Sequence, residues 1–137
     1  MRFCSFELVS ANRHLIQVSV TAEEIGMTDE AKRTLIRKLN DQFRQTGLGG
    51  HMLITRGIQD MGDDFIFKVV DVMRAFDEFS NDNDPCEEHD FGAIEISGHR
   101  VFWKIDYYNR SLDGGSEDPS DPTVTTRVLT AMMAHEY

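Results

Sequence analysis

Two β-rich runs, Phe91-Gly-Ala-Ile-Glu-Ile-Ser97 and Arg100-Val-Phe-Trp-Lys-Ile-Asp-Tyr-Tyr108, are separated by only Gly98-His99. So short a connection containing glycine leaves room for little but a hairpin, and it commits the chain to an antiparallel sheet. Strand alternation along the second run puts Val101, Trp103, Ile105 and Tyr107 on one face, and Phe102, Lys104, Asp106 and Tyr108 on the other. The first set is a core face. The second mixes rings with charges and suits an exposed or site-facing surface.

Helical patterns flank this hairpin. Thr28 is an N-cap residue followed by Asp29 and Glu30, and Ala31, Leu35, Leu39 and Phe43, with Ile36 alongside, recur at helical spacing up to Gly47. This predicts a helix over about 28–46. His51 to Arg56 reads as a short buried strand and Gly57 to Gly62 as a loop. Ile66, Val69, Val70, Met73 and Phe76 mark a second helix over about 63–79, and Ser80-Asn-Asp-Asn-Asp-Pro85 can only be a loop. Asp121-Pro122 supplies a helix start, and Val124, Val128, Ala131, Met132 and His135 follow at helical spacing, which predicts a third helix over about 121–136. Arg2 to Val9 and His14 to Val20 are β-prone. The expectation is a single α+β domain over 1–137, with a mostly antiparallel sheet of three to five strands covered by three helices on one face. The edge of the N-terminal strand must be covered by something, which leaves a homodimer open.

The 137 residues include 24 Asp and Glu against 14 Lys and Arg, a formal net charge of −10. Sequence-independent nucleic-acid binding needs clustered Lys and Arg, and anionic membranes ask for the same, so neither is expected as a direct partner. The imbalance is local: residues 60–95 contain twelve acids and two bases, Lys68 and Arg74. Cys4 and Cys86 stand at unrelated positions without metal-ligand or disulfide-framework spacing, so no disulfide is expected. Met1 to Val9 lacks the apolar stretch of a secretion signal, and a cytoplasmic protein is the expectation.

Chemistry could sit in the loop at 81–90, where Asp82, Asp84, Glu87, Glu88 and Asp90 accompany His89 and Cys86. Converging carboxylates with an imidazole are what divalent cations require, so Asp84, Glu88, His89 and Asp90 form a candidate metal set. The spacing matches neither a calcium loop nor a zinc motif, and Asp84 and Asp90 equally suit turn caps, with Glu87 and Glu88 solvated. Glu95, Lys104 and Asp106 make a second set, of the kind a metal-dependent nuclease gathers on adjacent strands, but Lys104 can equally pair with Glu95 across the hairpin. Carboxylates around Cys86 would raise its pKa, the wrong direction for a nucleophile. Apart from such a cation, no cofactor is expected.

The strings Asn83-Asp-Pro85, Glu88-His-Asp-Phe-Gly92, Phe102-Trp-Lys-Ile-Asp-Tyr-Tyr108, Ser116-Glu-Asp-Pro119, Arg127-Val-Leu-Thr130 and Glu136-Tyr137 occur in that order. With Thr34 to Arg44 before them, they make the chain resemble the bacterial domain-of-unknown-function family numbered 3768 over about 34–137. The resemblance implies no reaction, cofactor or catalytic residue. It implies a glycine where this chain has Glu87, and it leaves residues 1–25 as a β-rich N-terminal addition.

Charge and size together favour a non-enzymatic acidic module that binds a basic protein surface. Its carboxylates would stand where phosphates lie on a nucleic-acid-binding protein. Such a module would suit a phage- or plasmid-borne inhibitor of a nucleic-acid-processing or defence complex, of the anti-CRISPR or antirestriction type. The expected contacts are Asp71, Asp77, Glu78, Asp82, Asp84, Glu87 and Glu88, with Phe102 and Tyr108 as aromatic anchors. The alternative is a metal-dependent hydrolase or nuclease using the Asp84 to Asp90 loop.

Overall fold

The computed structural model describes residues 27–137. The β-prone runs at 2–9 and 14–20, the residues of the expected N-terminal addition, lie outside the described residues. The first element is helix α1, Asp29–Thr46, opened by the Thr28 hydroxyl accepting from Ala31 N at 3.0 Å and closed by Gly47 at φ 78°. Strand β1 (Gly50–Ile54), the four-residue helix α2 (Arg56–Gln59) and helix α3 (Asp63–Arg74) follow. Then come β2 (Phe91–Ile96), β3 (His99–Tyr108) and β4 (Thr126–Met133), with one 3₁₀ turn at Ala134–Glu136.

The four strands form one sheet in the order β1-β4-β3-β2. β3 runs antiparallel to both β2 and β4, and β1 runs parallel to β4, so the sheet is mostly antiparallel and the fold α+β as expected. The hairpin turns at Ser97-Gly98, one residue earlier than the spacing suggests. Both residues have positive φ, 53° and 80°, as a two-residue turn matching the strand twist requires. Val101, Trp103, Ile105 and Tyr107 are all buried, and they pack with Ile94, Ile96, Leu129, Ala131 and Met133 beneath Ile36, Phe43, Val69, Met73 and Phe76 of the helical layer.

Three boundaries differ from expectation, each for a physical reason. The expected helix at 121–136 is strand β4. Asp121 caps a tight turn by accepting from Thr123 N and Oγ1, and the β-branched run Thr123 to Thr126, with Val128 after it, then favours extended backbone. α3 stops at Arg74 and not near 79, because the Arg44 guanidinium takes its final carbonyls, Nη1 donating to Met73 O at 2.9 Å and to Arg74 O at 3.0 Å. The stretch read as a loop, 57–62, begins with α2, whose start is held by Glu136: Thr55 Oγ1 donates to Oε1 at 2.7 Å and Gly57 N to Oε2 at 3.0 Å.

The buried stripe of α1 is also rotated. It consists of Lys32, Ile36, Asn40, Phe43 and Arg44, while Ala31 is exposed and Leu35 and Leu39 are half-buried. A helix that turns polar side chains toward a sheet must find partners for them there. Those partners come from the loop at 82–90.

Candidate functional site

The loop after α3 folds inward. Asp84, Glu88 and Asp90 are buried. Asp84 Oδ1 accepts from the amides of Glu88 at 3.0 Å and His89 at 3.1 Å, which fixes a tight turn. Glu87 and His89 on either side of Glu88 have φ of 56° and 55°, the left-handed region that costs an L-residue of order 1–2 kcal/mol. Position 87 is where the resemblance implies glycine, the residue for which such a φ carries no steric cost. The two left-handed residues bracket Glu88 and turn its side chain to the interior.

Inside, Glu88 Oε1 accepts from Tyr107 Oη at 2.8 Å, and Asn40 Nδ2 donates to Tyr107 Oη at 2.7 Å and to Glu88 O at 2.9 Å. Asn40 Oδ1 in turn accepts from Arg127 Nε at 2.7 Å, and Arg127 Nη2 donates to Pro119 O. The chain Glu88–Tyr107–Asn40–Arg127 therefore ties the loop, β3, α1 and β4 into one buried polar network. Burial, reinforced by the Glu88 charge, holds the Tyr107 phenol well above its ordinary pKa. Burial also lowers the Arg127 guanidinium, while Tyr107 and Glu88 act in the opposite direction. A buried charge truncated from such a network leaves its partners unsatisfied, so the network is structural machinery first.

His89 belongs to a second cluster. Its ring stacks on Phe79 at 3.7 Å between centroids, and Nδ1 lies 2.8 Å from Asp41 Oδ1. Asp41 also receives Arg44 Nη2 at 3.1 Å, and the Arg44 guanidinium lies over Trp103 and Phe79.

The candidate metal residues are not brought together as a set. Asp84 and His89 do approach, with His89 Nε2 at 3.7 Å from Asp84 Oδ2, but Asp84 Oδ1 is taken by its own loop amides, His89 Nδ1 by Asp41, and Glu88 turns away to Tyr107. Among the described residues no group of three or more His, Cys, Asp and Glu converges to hold an ion. The second set is assembled only in part: Lys104 Nζ pairs with Asp106 Oδ2 at 2.8 Å on its own strand, but Glu95 stands opposite Arg100 in register, with Arg100 Nη1 at 4.0 Å. Cys86 is disulfide-bonded, against the expectation of free thiols, while Cys4 lies outside the described residues.

The expected protein contacts divide in the same way. Asp84 and Glu88 are interior and cannot touch a docking surface, whereas Asp82 and Glu87 are exposed on the loop. Phe102 is half-buried on the sheet face away from the core, in a trio with Phe91 and Tyr137, and Tyr108 is exposed at the end of β3. Asp71, Asp77 and Glu78 come together with Glu95. These four line a groove of about 570 Å³ whose floor is Val72, Ala75, Phe76, Ala93 and Ile94, with no basic residue in the lining. Ile94 points toward the helices while Ala93 and Glu95 alternate to the other face, so the groove wraps the edge of β2.

Sequence patterns missed Asn40, Asp41, Arg44 and Arg127, because polar residues on a helix or strand are ordinarily taken as its wet side. A signal was present in the spacing Lys32, Ile36, Asn40, Arg44, four residues apart on a single stripe.

Among the described residues no helix is long and apolar enough to cross a membrane. No curated protein and no solved structure matches the chain. A family model does match, that of a protein of unknown function, DUF3768, over residues 54–136. The match takes in the loop, the hairpin and β4, and leaves α1, which supplies Asn40 and Arg44, outside it. With well over half of its residues covered, the chain belongs to the DUF3768 family.

Proposed function

We propose that the protein is a non-enzymatic binding module that receives a basic, extended segment of a partner protein in the groove between α3 and β2. The observation that carries this reading is the lining itself: Asp71, Asp77, Glu78 and Glu95 around an apolar floor, without a base among them. Carboxylates on the rim select lysine and arginine, and Val72 and Phe76 offer surface to the aliphatic parts of such side chains. β2 is the last strand of the sheet among the described residues, and an edge strand supports main-chain pairing with an extended peptide. Exposed Asp82 and Glu87 extend the acidic surface toward the loop.

A partner with a basic nucleic-acid-binding surface fits this chemistry, and an inhibitor of a nuclease or defence complex is the biological role it supports. The test uses a fluorescein-labelled peptide of alternating arginine and valine, followed by anisotropy against the full chain. Binding that weakens with added salt, and is lost when Asp71, Asp77, Glu78 and Glu95 are changed to lysine, supports the groove. Equal binding by the reversed variant, or equal binding of a glutamate-valine peptide, refutes it. Sedimentation of the unliganded protein reports whether β2 edges pair with each other instead, in which case a dimer dissociates on the same substitutions.

A further inference from the structure

A second cavity lies away from the acidic groove and has the opposite character. It is about 650 Å³ in volume and is enclosed by the end of α1, the turn before β1, the segment after β3 and the start of β4. That volume falls within the range of about 300–1,000 Å³ usual for small-molecule sites. Its ionisable lining residues are His51, Arg110 and Arg127, without a carboxylate, in a chain that carries 24 acids. The remaining wall includes Leu39, Leu48, Leu112 and Pro122.

Two features show a built wall and not a chance gap between loops. Arg127 is buried and lines the cavity, and its Nε and Nη2 are held by Asn40 Oδ1 and Pro119 O, which fixes the guanidinium and leaves Nη1 as its one nitrogen without a hydrogen-bond partner among the described residues. Leu48 and Leu112, both in the lining, are 73% and 52% exposed and give the cavity an accessible apolar rim. Leu112 is also held at φ 62°, a conformation rare for a bulky side chain, in a loop fixed by Asn109, Ser111 and Asp113.

We propose that this cavity binds a small organic anion with an apolar body. The anionic head is seated by Arg127 and Arg110, and the body lies against Leu39, Leu48 and Leu112. The buried network gives Glu88 a remote part in the site, since it orients Arg127 through Tyr107 and Asn40. The repulsive net charge of the protein does not prevent this, because at physiological salt it is screened beyond about 8 Å, while the two guanidinium groups act at contact.

Isothermal titration of the full chain with octanoate, octanol and octylamine tests the proposal. Octanoate is expected to bind and octylamine not to, with octanol weaker than octanoate by about tenfold or more, the worth of one charge-assisted hydrogen bond. Arg110→Gln, an exposed position whose change leaves the core intact, is expected to weaken octanoate by a similar factor. Leu48→Ser is expected to weaken octanoate and octanol alike. Equal affinity for all three probes, no binding of octanoate at millimolar concentration, or an unchanged affinity in Arg110→Gln would overturn it. The basic peptide of the acidic groove reads out separately, so failure of one site does not bear on the other.

Discussion

The two acidic regions of this protein are adjacent in sequence and opposite in burial. In the loop at 84–90 the carboxylates of Asp84, Glu88 and Asp90 are turned inward, and those of Asp84 and Glu88 accept hydrogen bonds from loop amides and from Tyr107. At the groove, Asp71, Asp77, Glu78 and Glu95 remain at the surface around apolar residues. Charge density alone does not tell the two apart; what separates them is whether the fold supplies a donor. The loop has Tyr107, Asn40 and its own amides within reach, so its acids stabilise the domain. The groove acids stay at the surface, where among the described residues only Glu95 has a cation near it, Arg100 Nη1 at 4.0 Å, and we assign them to a partner.

The comparison is broken most forcefully at Glu88. Glu88→Ala is expected to lower the unfolding free energy by about 3–5 kcal/mol in chemical denaturation, because it strips Tyr107 of its acceptor inside the core and empties a buried site. A change within experimental error would place the loop acids in the same class as those of the groove.

Gly92→Ala comes next. A Cβ at this position would run into the indole of Trp103, a rigid ring that is fully buried and has little room to move, so a loss of about 1–3 kcal/mol is expected. Preservation of wild-type stability, with an unshifted Trp103 fluorescence maximum, would show that the hairpin gives way more easily than its packing indicates.

Acid sensitivity gives a smaller effect and reads a third carboxylate, Glu136, whose pKa is held below the usual 4.5 by the Thr55 hydroxyl, with further help from the amides of Met133 and Gly57. A group with a depressed folded pKa contributes stability above its unfolded value and loses it as pH falls through the folded one. Wild type and Glu136→Gln should therefore differ in melting temperature at neutral pH and converge on acidification below about pH 4.5. A difference constant with pH would mean that the carboxylate charge is not what ties the chain end to α2.

Much of the fold was legible because it is local. The hairpin, the alternation of β3 and the caps of α1 are each decided within a few residues, and they stand as expected within a residue or so. β4 was not, because Asp121-Pro122 is a strong local helix signal. What overrides it is a long-range fact, namely that β1 and β3 both need a strand between them. The candidate sites divided along the same line. Asp71, Asp77 and Glu78 could be found by counting charge, but their union with Glu95 requires the packing of α3 on β2. The partners of Glu88 and His89 come from α1, some 48 residues earlier, where polar residues on the inward stripe interrupted the apolar pattern. The disulfide at Cys86 was equally hidden from residue spacing, and disulfides persist in oxidising compartments more readily than in the cytosol.

The central claim, that the groove acids serve a partner and the loop acids serve the fold, is tested most directly by one pair of readings on the variant with Asp71, Asp77, Glu78 and Glu95 all changed to lysine. Exposed substitutions away from special features each alter stability by no more than about 0.5 kcal/mol, so the account predicts an unfolding free energy within about 2 kcal/mol of wild type. It predicts at the same time complete loss of binding to the arginine-valine peptide. Retained peptide binding by a variant that still folds would contradict it.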